Sequence, residues 1–352
     1  MTKNYRQLTE SIRSRINPEN FVFQKSFSDE LSTISYSDVL TYIRLAMKGV
    51  EPSYTQKSKD AGNRVKEHLS NGLSNVEFRY QGSVMTDTHI KGYSDIDLLT
   101  ICDKFYRYDA DNVKQILDTP AERTKYFQWS IDKLQREVNI SSYTGNALED
   151  LRNLRMGSEE ILSDKYSICD VKQPKAIRIT NQNLNRDVDI TIANWYDDIT
   201  SIINDKGDYR GIQVYNKESN SREKADFPFL SIKRINDRGA ETNGRIKKMI
   251  RFLKNCRENS DHEIRFSSFD INAICYDIEV SQYENLSFYE LVPVIYYQMK
   301  SICTDQNHFG NVISVDGREY IFRGNTDKMK NLQLLLAEVE GIFSDLKTTI
   351  RI

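Results

Sequence analysis

The sequence has no excess of charge of either sign. Its 352 residues carry 49 basic and 51 acidic side chains, which gives a formal net charge of −2. A protein that binds nucleic acid non-specifically usually carries a visible basic excess, because it must neutralise the phosphate backbone. The balanced charge therefore favours a small or monomeric anionic substrate over a long nucleic acid.

Paired cysteines and zinc-ligand spacings are also missing. The five cysteines are odd in number and widely scattered, no CxxC pair occurs, and the four histidines do not fall at zinc-ligand spacing. We therefore expect a reduced, cytosolic protein without structural zinc.

Long apolar runs are absent as well. The first 17 residues are polar and lack the apolar core of a signal peptide. No apolar run approaches the roughly 18 residues that a membrane span needs. These absences predict a soluble, cytoplasmic protein that does not interact with a membrane.

The chain is long enough for two domains of about 100–200 residues each. Hydrophobic residues make up 39% and charged residues 28%, which is typical of a globular protein. We expect a polar loop at 216–224 and a strand pair around 311–322. Apolar periodicity predicts helices over 36–73 (broken near Pro52), most of 111–162, 244–256, 269–280, 289–299 and 326–346, and strands over 76–80, 95–101, 176–180 and 188–192. The order predicts an α+β core over residues 1–215 and a mainly helical domain over 216–352.

Three Asp-x-Asp patterns occur, and their surroundings distinguish them. Asp109 and Asp111 lie in a polar stretch without an apolar flank, which favours a solvated loop. Asp95 and Asp97 open an apolar run, and strand alternation places both on one face, roughly 6.5–7 Å apart along the chain. Converging carboxylates repel each other unless a cation joins them, and such oxygen ligands favour Mg²⁺ or Mn²⁺. The alternative interpretation of this pair is two exposed acids at a strand end.

The third pattern, Asp187 and Asp189, lies in another alternating segment. Apolar residues at 188, 190 and 192 share one face, and the two acids lie on the opposite face. A third acid on a neighbouring strand would complete a two-metal site, which clamps the attacking and leaving oxygens of an in-line displacement. That acid could also accept the proton of the attacking hydroxyl.

A Gly82–Ser83 pair supplies a candidate phosphate-binding turn. Glycine allows the backbone to approach a phosphate closely, and backbone N–H groups at a turn bind anions. A lone Gly-Ser pair is a weak signal, because turns favour both residues. This pair follows the strand predicted at 76–80 and precedes Asp95 by twelve residues, which makes the signal much stronger.

Three segments together resemble one enzyme superfamily: Gln81-Gly82-Ser83, Asp95-Ile96-Asp97 and Val188-Asp189-Ile190-Thr191. They resemble the nucleotidyltransferase superfamily of DNA polymerase β. Within it, the chain is most similar to the cyclic GMP–AMP synthase/DncV-like enzymes of bacterial anti-phage signalling. The resemblance implies a polymerase β-like core with a mixed sheet and a long N-terminal spine helix, followed by a mainly helical C-terminal domain.

The resemblance also implies an activity. Such enzymes condense NTPs into a cyclic di- or trinucleotide second messenger by two-metal-ion catalysis, release pyrophosphate, and signal to a product-sensing effector protein. ATP is the expected first substrate. No zinc-ribbon cysteines or long basic arm occur, so we expect no nucleic-acid activator.

Site residues follow from the same resemblance. Asp95, Asp97 and Asp189 would be the catalytic acids and would bind two Mg²⁺ or Mn²⁺ ions. The family pattern of an apolar residue followed by Asp-Ile-Thr selects Asp189 over Asp187. Gln81, Gly82 and Ser83 would bind the nucleotide.

Three further nucleotide-binding residues are expected in the second half. The helix at 244–256 carries a basic stripe that includes Arg251 and Lys254, and the family places a triphosphate-binding lysine where Lys254 lies. The alternative is a solvated basic face. Ser268 would contact phosphate and Phe269 would stack on a base, although Phe269 could equally belong to the core.

Two other functions remain open from the sequence. The same chemistry could transfer a nucleotide to an RNA end, an antibiotic hydroxyl or a protein side chain. The chain could also be an inactive binding protein on the same fold, which the intact set of three acids argues against.

Overall fold

The structure is a computed structural model, and it describes residues 3–14, 37–90 and 96–350. Its helices are α1 (Tyr5–Ser14), α2 (Asp38–Met47), α3 (Pro52–Gly72), α4 (Ala110–Asp118), α5 (Pro120–Arg123), α6 (Gln128–Val138), α7 (Ala147–Lys165), α8 (Ile199–Ile203), α9 (Pro228–Glu241), α10 (Arg245–Glu258), α11 (Ser268–Asp277), α12 (Leu291–Thr304), α13 (Gln306–Asn311) and α14 (Thr326–Ile350). Its strands are β1 (Val76–Gln81), β2 (Ile96–Tyr108), β3 (Cys169–Asp170), β4 (Ile177–Asn181), β5 (Arg186–Asp197), β6 (Gly211–Asn216) and β7 (Ser221–Asp226). Within the described residues, no helix is long and apolar enough to cross a bilayer.

Within the described ranges the strands form one mixed sheet. Its order is β1-β2-β5-β4-β3, and β6 pairs with β5 and with β7. The β2–β5 pair is parallel, and the other pairs are antiparallel. The two strands that carry the predicted acids therefore lie side by side in the middle of the sheet.

Alternation along β2 and β5 gives the sheet two different faces. On one face, Ile96 and Leu98 of β2 pack with Val188 and Ile190 of β5 against helix α3, and all four side chains are fully buried. The opposite face carries the side chains at 97 and 189. Further along the same two strands, this face carries the apolar residues of a second cluster. The pairing that builds the core thus directs the acids away from α3.

Helix α3 has clear start and stop signals. Pro52 occupies its first turn, where the missing N–H has no helical partner to lose. The helix ends at Gly72 after 21 residues, and a stripe that includes Ala61, Val65 and Leu69 packs on the sheet. This is the long spine helix expected from the sequence.

The chain divides into two compact units. The helical unit comprises Met1–Val50, Thr86–Ser94 and Arg234–Ile352, and the sheet unit comprises Glu51–Met85 and Asp95–Lys233. The helical unit has its own core, built by the apolar faces of α2, α10, α11, α12 and α14. The boundary expected near residue 215 stays a prediction.

One buried arginine fixes the chain that leads into strand β4. Arg155 of α7 is 1% exposed, and its Nη2 donates to the carbonyl oxygens of Val171, Gln173 and Ala176 at 3.3, 2.9 and 2.9 Å. Its Nε donates to Glu159 at 2.7 Å. A buried guanidinium is stable only when it is hydrogen-bonded in this way. Arg155 therefore fixes the loop that leads into β4.

The predicted α+β fold with a mixed sheet and a mainly helical second half is confirmed. Two local predictions in the second half of the chain are wrong. The polar loop expected at 216–224 contains the start of β7, which pairs with β6. The strand pair expected at 311–322 is reduced to one bridge between Ile313 and Tyr320, because α13 takes up the residues before it.

Candidate active site

Gly82 forms the turn at the end of β1. Its φ is +81°, a left-handed conformation that glycine adopts without strain. The carbonyl oxygen of Gly82 accepts a hydrogen bond from the N–H of Met85 at 3.2 Å, which closes the turn. Ser83 follows with its side chain half-buried.

The two described acids of the predicted triad lie directly side by side. Asp97 of β2 is the register partner of Asp189 in the parallel strand β5. Both side chains are half-buried and lie on the face of the sheet that points away from α3. Asp95, the remaining acid, lies outside the described residues.

Asp97 also lies directly against the Gly82 turn. Gln81, at the end of β1, is the antiparallel register partner of Asp97. A Cβ atom added to Gly82 would fall 2.1 Å from Oδ2 of Asp97, well below any real contact distance. The sheet therefore brings together the turn and two of the predicted acids.

Arg178 is a site residue that the sequence patterns did not predict. It lies in β4 opposite Asp189, and its Nε and Nη2 donate to the two carboxylate oxygens at 2.8 and 3.0 Å. This fork-to-fork contact offsets the charge of Asp189 and fixes its orientation. The signal was present in the sequence, since a hairpin that pairs 181 with 186 also pairs 178 with 189.

Acids of the other two Asp-x-Asp patterns make hydrogen bonds with nearby residues of the chain. Asp187 accepts a hydrogen bond from the hydroxyl of Thr180 at 2.6 Å, across the β4–β5 hairpin. Asp109 caps α4, where its carboxylate accepts from the backbone N–H and the side-chain amide of Asn112 at 3.5 and 2.7 Å. The second pattern is thus a helix cap rather than a loop.

The residues present fit a divalent cation. Asp97 and Asp189 offer oxygen ligands on neighbouring strands, and the missing Cβ of Gly82 allows the carboxylate of Asp97 to lie against the turn. Among the described residues no group of three possible ligands occurs. Asp95, two positions before Asp97 in the sequence, would supply a third carboxylate, and it lies outside the described residues.

Lys254 lies deep in the helical unit. Its side chain is 2% exposed, and Nζ donates to the carbonyl oxygen of Thr88 at 3.0 Å. Burial lowers its pKa to about 7, and the nearby charges of Arg257 and Arg251 add to the shift. Nucleotide binding by Lys254 stays a prediction.

Ser268 and Phe269 begin helix α11. Ser267 caps this helix in a reciprocal capping box with Asp270, and Ser268 is half-buried in the first turn. Phe269 is partly buried and packs against the core of the helical unit. That position agrees with the core interpretation of Phe269, and the nucleotide contacts of both residues stay predictions.

Comparison with known proteins agrees with this geometry. The family model for the C-terminal helical domain of cGAS/DncV-like nucleotidyltransferases matches residues 233–343. A c-di-GMP synthase of Capnocytophaga granulosa is 53% identical over 350 residues, which cover 98% of this chain and 99% of that protein. This chain belongs to the cGAS/DncV-like nucleotidyltransferases.

Solved structures agree with that assignment. A STING-associated CdnE c-di-GMP synthase from a Flavobacteriaceae species matches with a TM-score of 0.88 at 36% identity, covering 99% of both chains. The corresponding enzyme from Capnocytophaga granulosa matches with a TM-score of 0.80 at 48% identity, covering 98% of this chain and 99% of the other.

Several predictions from the sequence are confirmed by family membership. They are the family itself, the nucleotidyltransferase class of enzyme and the synthesis of a cyclic dinucleotide. Enzymes of this family generally use divalent metal ions.

Gly82 provides the sharpest test of the site geometry. In this nucleotidyltransferase, Gly82→Ala should lower the rate of pyrophosphate release by about 100-fold or more, because a displacement near 1 Å at a reacting centre can cost that much. The new Cβ must displace either Asp97 or the turn. The measurement is pyrophosphate release from NTPs with purified variant.

Gly310→Ala is the matched control, since a Cβ added there meets nothing within 4 Å. It should retain the wild-type rate. Gly82→Ala with wild-type activity would contradict the close approach of Asp97 to the turn.

Lys254 predicts a pH dependence of stability. Its pKa is about 7 in the folded protein and near 10.5 when unfolded, so the unfolded chain binds more protons between these values. The free energy of unfolding of the wild type, minus that of Lys254→Met, should therefore rise above pH 7, by up to about 1.4 kcal/mol per pH unit. Urea unfolding at pH 6, 7, 8 and 9 measures it.

The control is Lys330→Met, which alters an exposed lysine on α14. The difference in the free energy of unfolding between the wild type and Lys330→Met should not rise above pH 7. A flat difference for Lys254→Met would show that the lysine remains charged when the protein is folded.

Proposed function

We propose that this protein condenses two molecules of GTP into c-di-GMP, with Asp95, Asp97 and Asp189 as catalytic acids. The observation that carries the proposal is the register of Asp97 with Asp189 directly beside Gly82. The choice of GTP rests on relatives described as c-di-GMP synthases, among them one that is 53% identical over nearly the whole chain. GTP thus replaces ATP, the substrate expected from the sequence.

The turn would hold the triphosphate of the donor GTP. Gly82 has no Cβ, so its backbone can approach a phosphate oxygen closely, and the hydroxyl of Ser83 would donate a further hydrogen bond. Gln81 extends the same turn at the end of β1. These contacts would place the α-phosphorus beside the acids.

The acids would orient and deprotonate the attacking group. A ribose hydroxyl of the second GTP attacks the α-phosphorus, its proton passes to Asp189, and the bond to pyrophosphate breaks. A second transfer of the same kind closes the ring. Bound Mg²⁺ or Mn²⁺, held by Asp95, Asp97 and Asp189, would neutralise the charge on the attacking and leaving oxygens.

Arg178 would act on the same acid. With its guanidinium on both oxygens of Asp189, it reduces repulsion between neighbouring carboxylates and fixes the plane of the carboxylate. It would therefore keep the acid oriented before substrate enters.

The product would be read by an effector protein. Two solved relatives are described as STING-associated c-di-GMP synthases. We infer that an effector that binds c-di-GMP responds to the product of this chain, which is consistent with a defence role.

The proposal predicts the product and its dependence on the acids. Wild-type protein with Mg²⁺ or Mn²⁺ should make c-di-GMP from GTP alone. When all four NTPs are supplied, c-di-GMP should remain the most abundant cyclic dinucleotide. Asp97→Asn and Asp189→Asn should each lower the rate about 1000-fold or more, because each loses several kcal/mol of charge stabilisation. Mass spectrometry of the products measures both results.

Asp187→Asn is the matched control, since it lies two residues from Asp189 and its carboxylate is bound by Thr180. It should stay within about tenfold of the wild-type rate, the scale of one lost hydrogen bond. Full activity of Asp189→Asn would disprove the site. If the protein transferred the nucleotide to an added RNA and made no product from nucleotides alone, the proposal that a second GTP is the acceptor would be wrong.

A further inference from the structure

A row of polar side chains crosses five strands of the sheet unit at the level of the predicted acids. In strand order, the pairing registers place side by side Gln81 of β1, Asp97 of β2, Asp189 of β5, Arg178 of β4 and Asp170 of β3. Neighbours in such a row share one face of the sheet, and across antiparallel strands their Cβ atoms lie about 4.5–5.5 Å apart. The row therefore places the guanidinium of Arg178 between two carboxylates.

Arg178 binds Asp189 with both arms of its guanidinium fork. Its Nε and Nη2 donate to Oδ1 and Oδ2 at 2.8 and 3.0 Å. The proposed function assigns the same carboxylate to a divalent cation. Mg²⁺ bound to Oδ1 at its usual distance of about 2.0–2.1 Å would lie within about 5 Å of Nε, since both distances are measured from one oxygen. Like charges at that separation repel each other, so the contact of Arg178 opposes the binding of a metal ion.

Asp170 offers the guanidinium a second carboxylate on the other side of β4. It is the register partner of Arg178 in β3. Its Oδ1 accepts a hydrogen bond from the backbone N–H of Lys172 at 2.9 Å, and its Oδ2 accepts one from Nε2 of Gln173 at 3.3 Å. The N–H of Lys172 is the main cause of a lowered pKa of Asp170, and the charge of Arg178 contributes to the same shift. This carboxylate is therefore oriented, and it is ionised at neutral pH.

The side chain of Arg178 has room to change partners, whereas its backbone is fixed. The side chain is 47% exposed, compared with 23% for that of Asp189. Strand β4 is paired on both edges, with β3 and with β5. The chain just before it is held by the buried Arg155, which donates to the carbonyl oxygen of Ala176 at 2.9 Å. Rotation of the side chain alone can thus move the guanidinium from Asp189 toward Asp170.

We propose that Arg178 is a displaceable counter-cation, which competes with the divalent cation for Asp189 and moves to Asp170 when that cation binds. The identification of Asp189 as a metal ligand rests on the proposed function. Arg178 thereby sets the concentration of Mg²⁺ or Mn²⁺ that the site requires, because metal binding breaks two charge-assisted hydrogen bonds.

The test is Mn²⁺ binding to the full-length protein without nucleotide, measured by electron paramagnetic resonance of the free ion. Arg178→Met should bind Mn²⁺ about tenfold more tightly than the wild type, because no guanidinium competes for the carboxylate. Lys175→Met is the matched control. It removes one positive charge from the same segment, but Lys175 pairs with Glu223 and its side chain is 56% exposed. Its affinity for Mn²⁺ should stay within about twofold of the wild type, since water and salt screen such a charge.

Asp170→Asn tests the second partner. Alone, it should weaken Mn²⁺ binding about threefold, because the displaced guanidinium loses an exposed ion pair. In the Arg178→Met background it should change the affinity by less than about twofold, since the two side chains act through one contact. Equal weakening in both backgrounds would show that Asp170 acts on the metal ion through its charge alone, and would overturn the movement to Asp170.

The competition itself would be overturned by unchanged or weaker Mn²⁺ binding in Arg178→Met. If that variant does not fold, Arg178→Lys decides the question by the same result, because a lysine keeps the charge without the fork that binds both oxygens. Arg178→Met should also reach half of its maximal rate of pyrophosphate release at a lower Mg²⁺ concentration than the wild type. Absence of c-di-GMP from the wild type would defeat the proposed function and leave the Mn²⁺ result intact.

Discussion

The proposed active site depends on the parallel pairing of β2 with β5. In this register Asp97 lies beside Asp189, while the residues on either side of each acid enter the core against α3. A slip of one residue would turn Asp189 toward α3 and bring apolar side chains to the opposite face. Burial of the core residues therefore fixes the positions of the acids, and the site gains its geometry from packing that the fold requires anyway.

The rest of the site is organised around that pair. β1 pairs with the other edge of β2 and ends at Gly82, whose missing Cβ allows Asp97 to lie against the turn. β4 pairs with the other edge of β5 and brings the guanidinium of Arg178 onto Asp189. Each strand thus contributes one contact at a position that strand pairing determines.

The sequence predicted those parts of the structure that follow local rules. Alternation identified the strands around Asp97 and Asp189, and helical periodicity together with Pro52 and Gly72 identified the spine helix. It failed for β7, whose residues are mostly polar (SREKAD) and form a strand because β6 offers an edge to pair with. It also could not show that Lys254 is buried, because its partner Thr88 lies 166 residues away in the chain. Such contacts depend on tertiary packing, which spacing along a helix does not encode.

The central claim is that Asp97 and Asp189, with Asp95, hold the cations beside the Gly82 turn. A crystal structure with Mg²⁺ and a non-hydrolysable GTP analogue tests it most directly. The account predicts Mg²⁺ bound by the carboxylates of Asp97 and Asp189, with the triphosphate on the backbone of Gly82 and Ser83. The account would be contradicted if Mg²⁺ or the triphosphate bound elsewhere and Arg178 still donated hydrogen bonds to both carboxylate oxygens of Asp189.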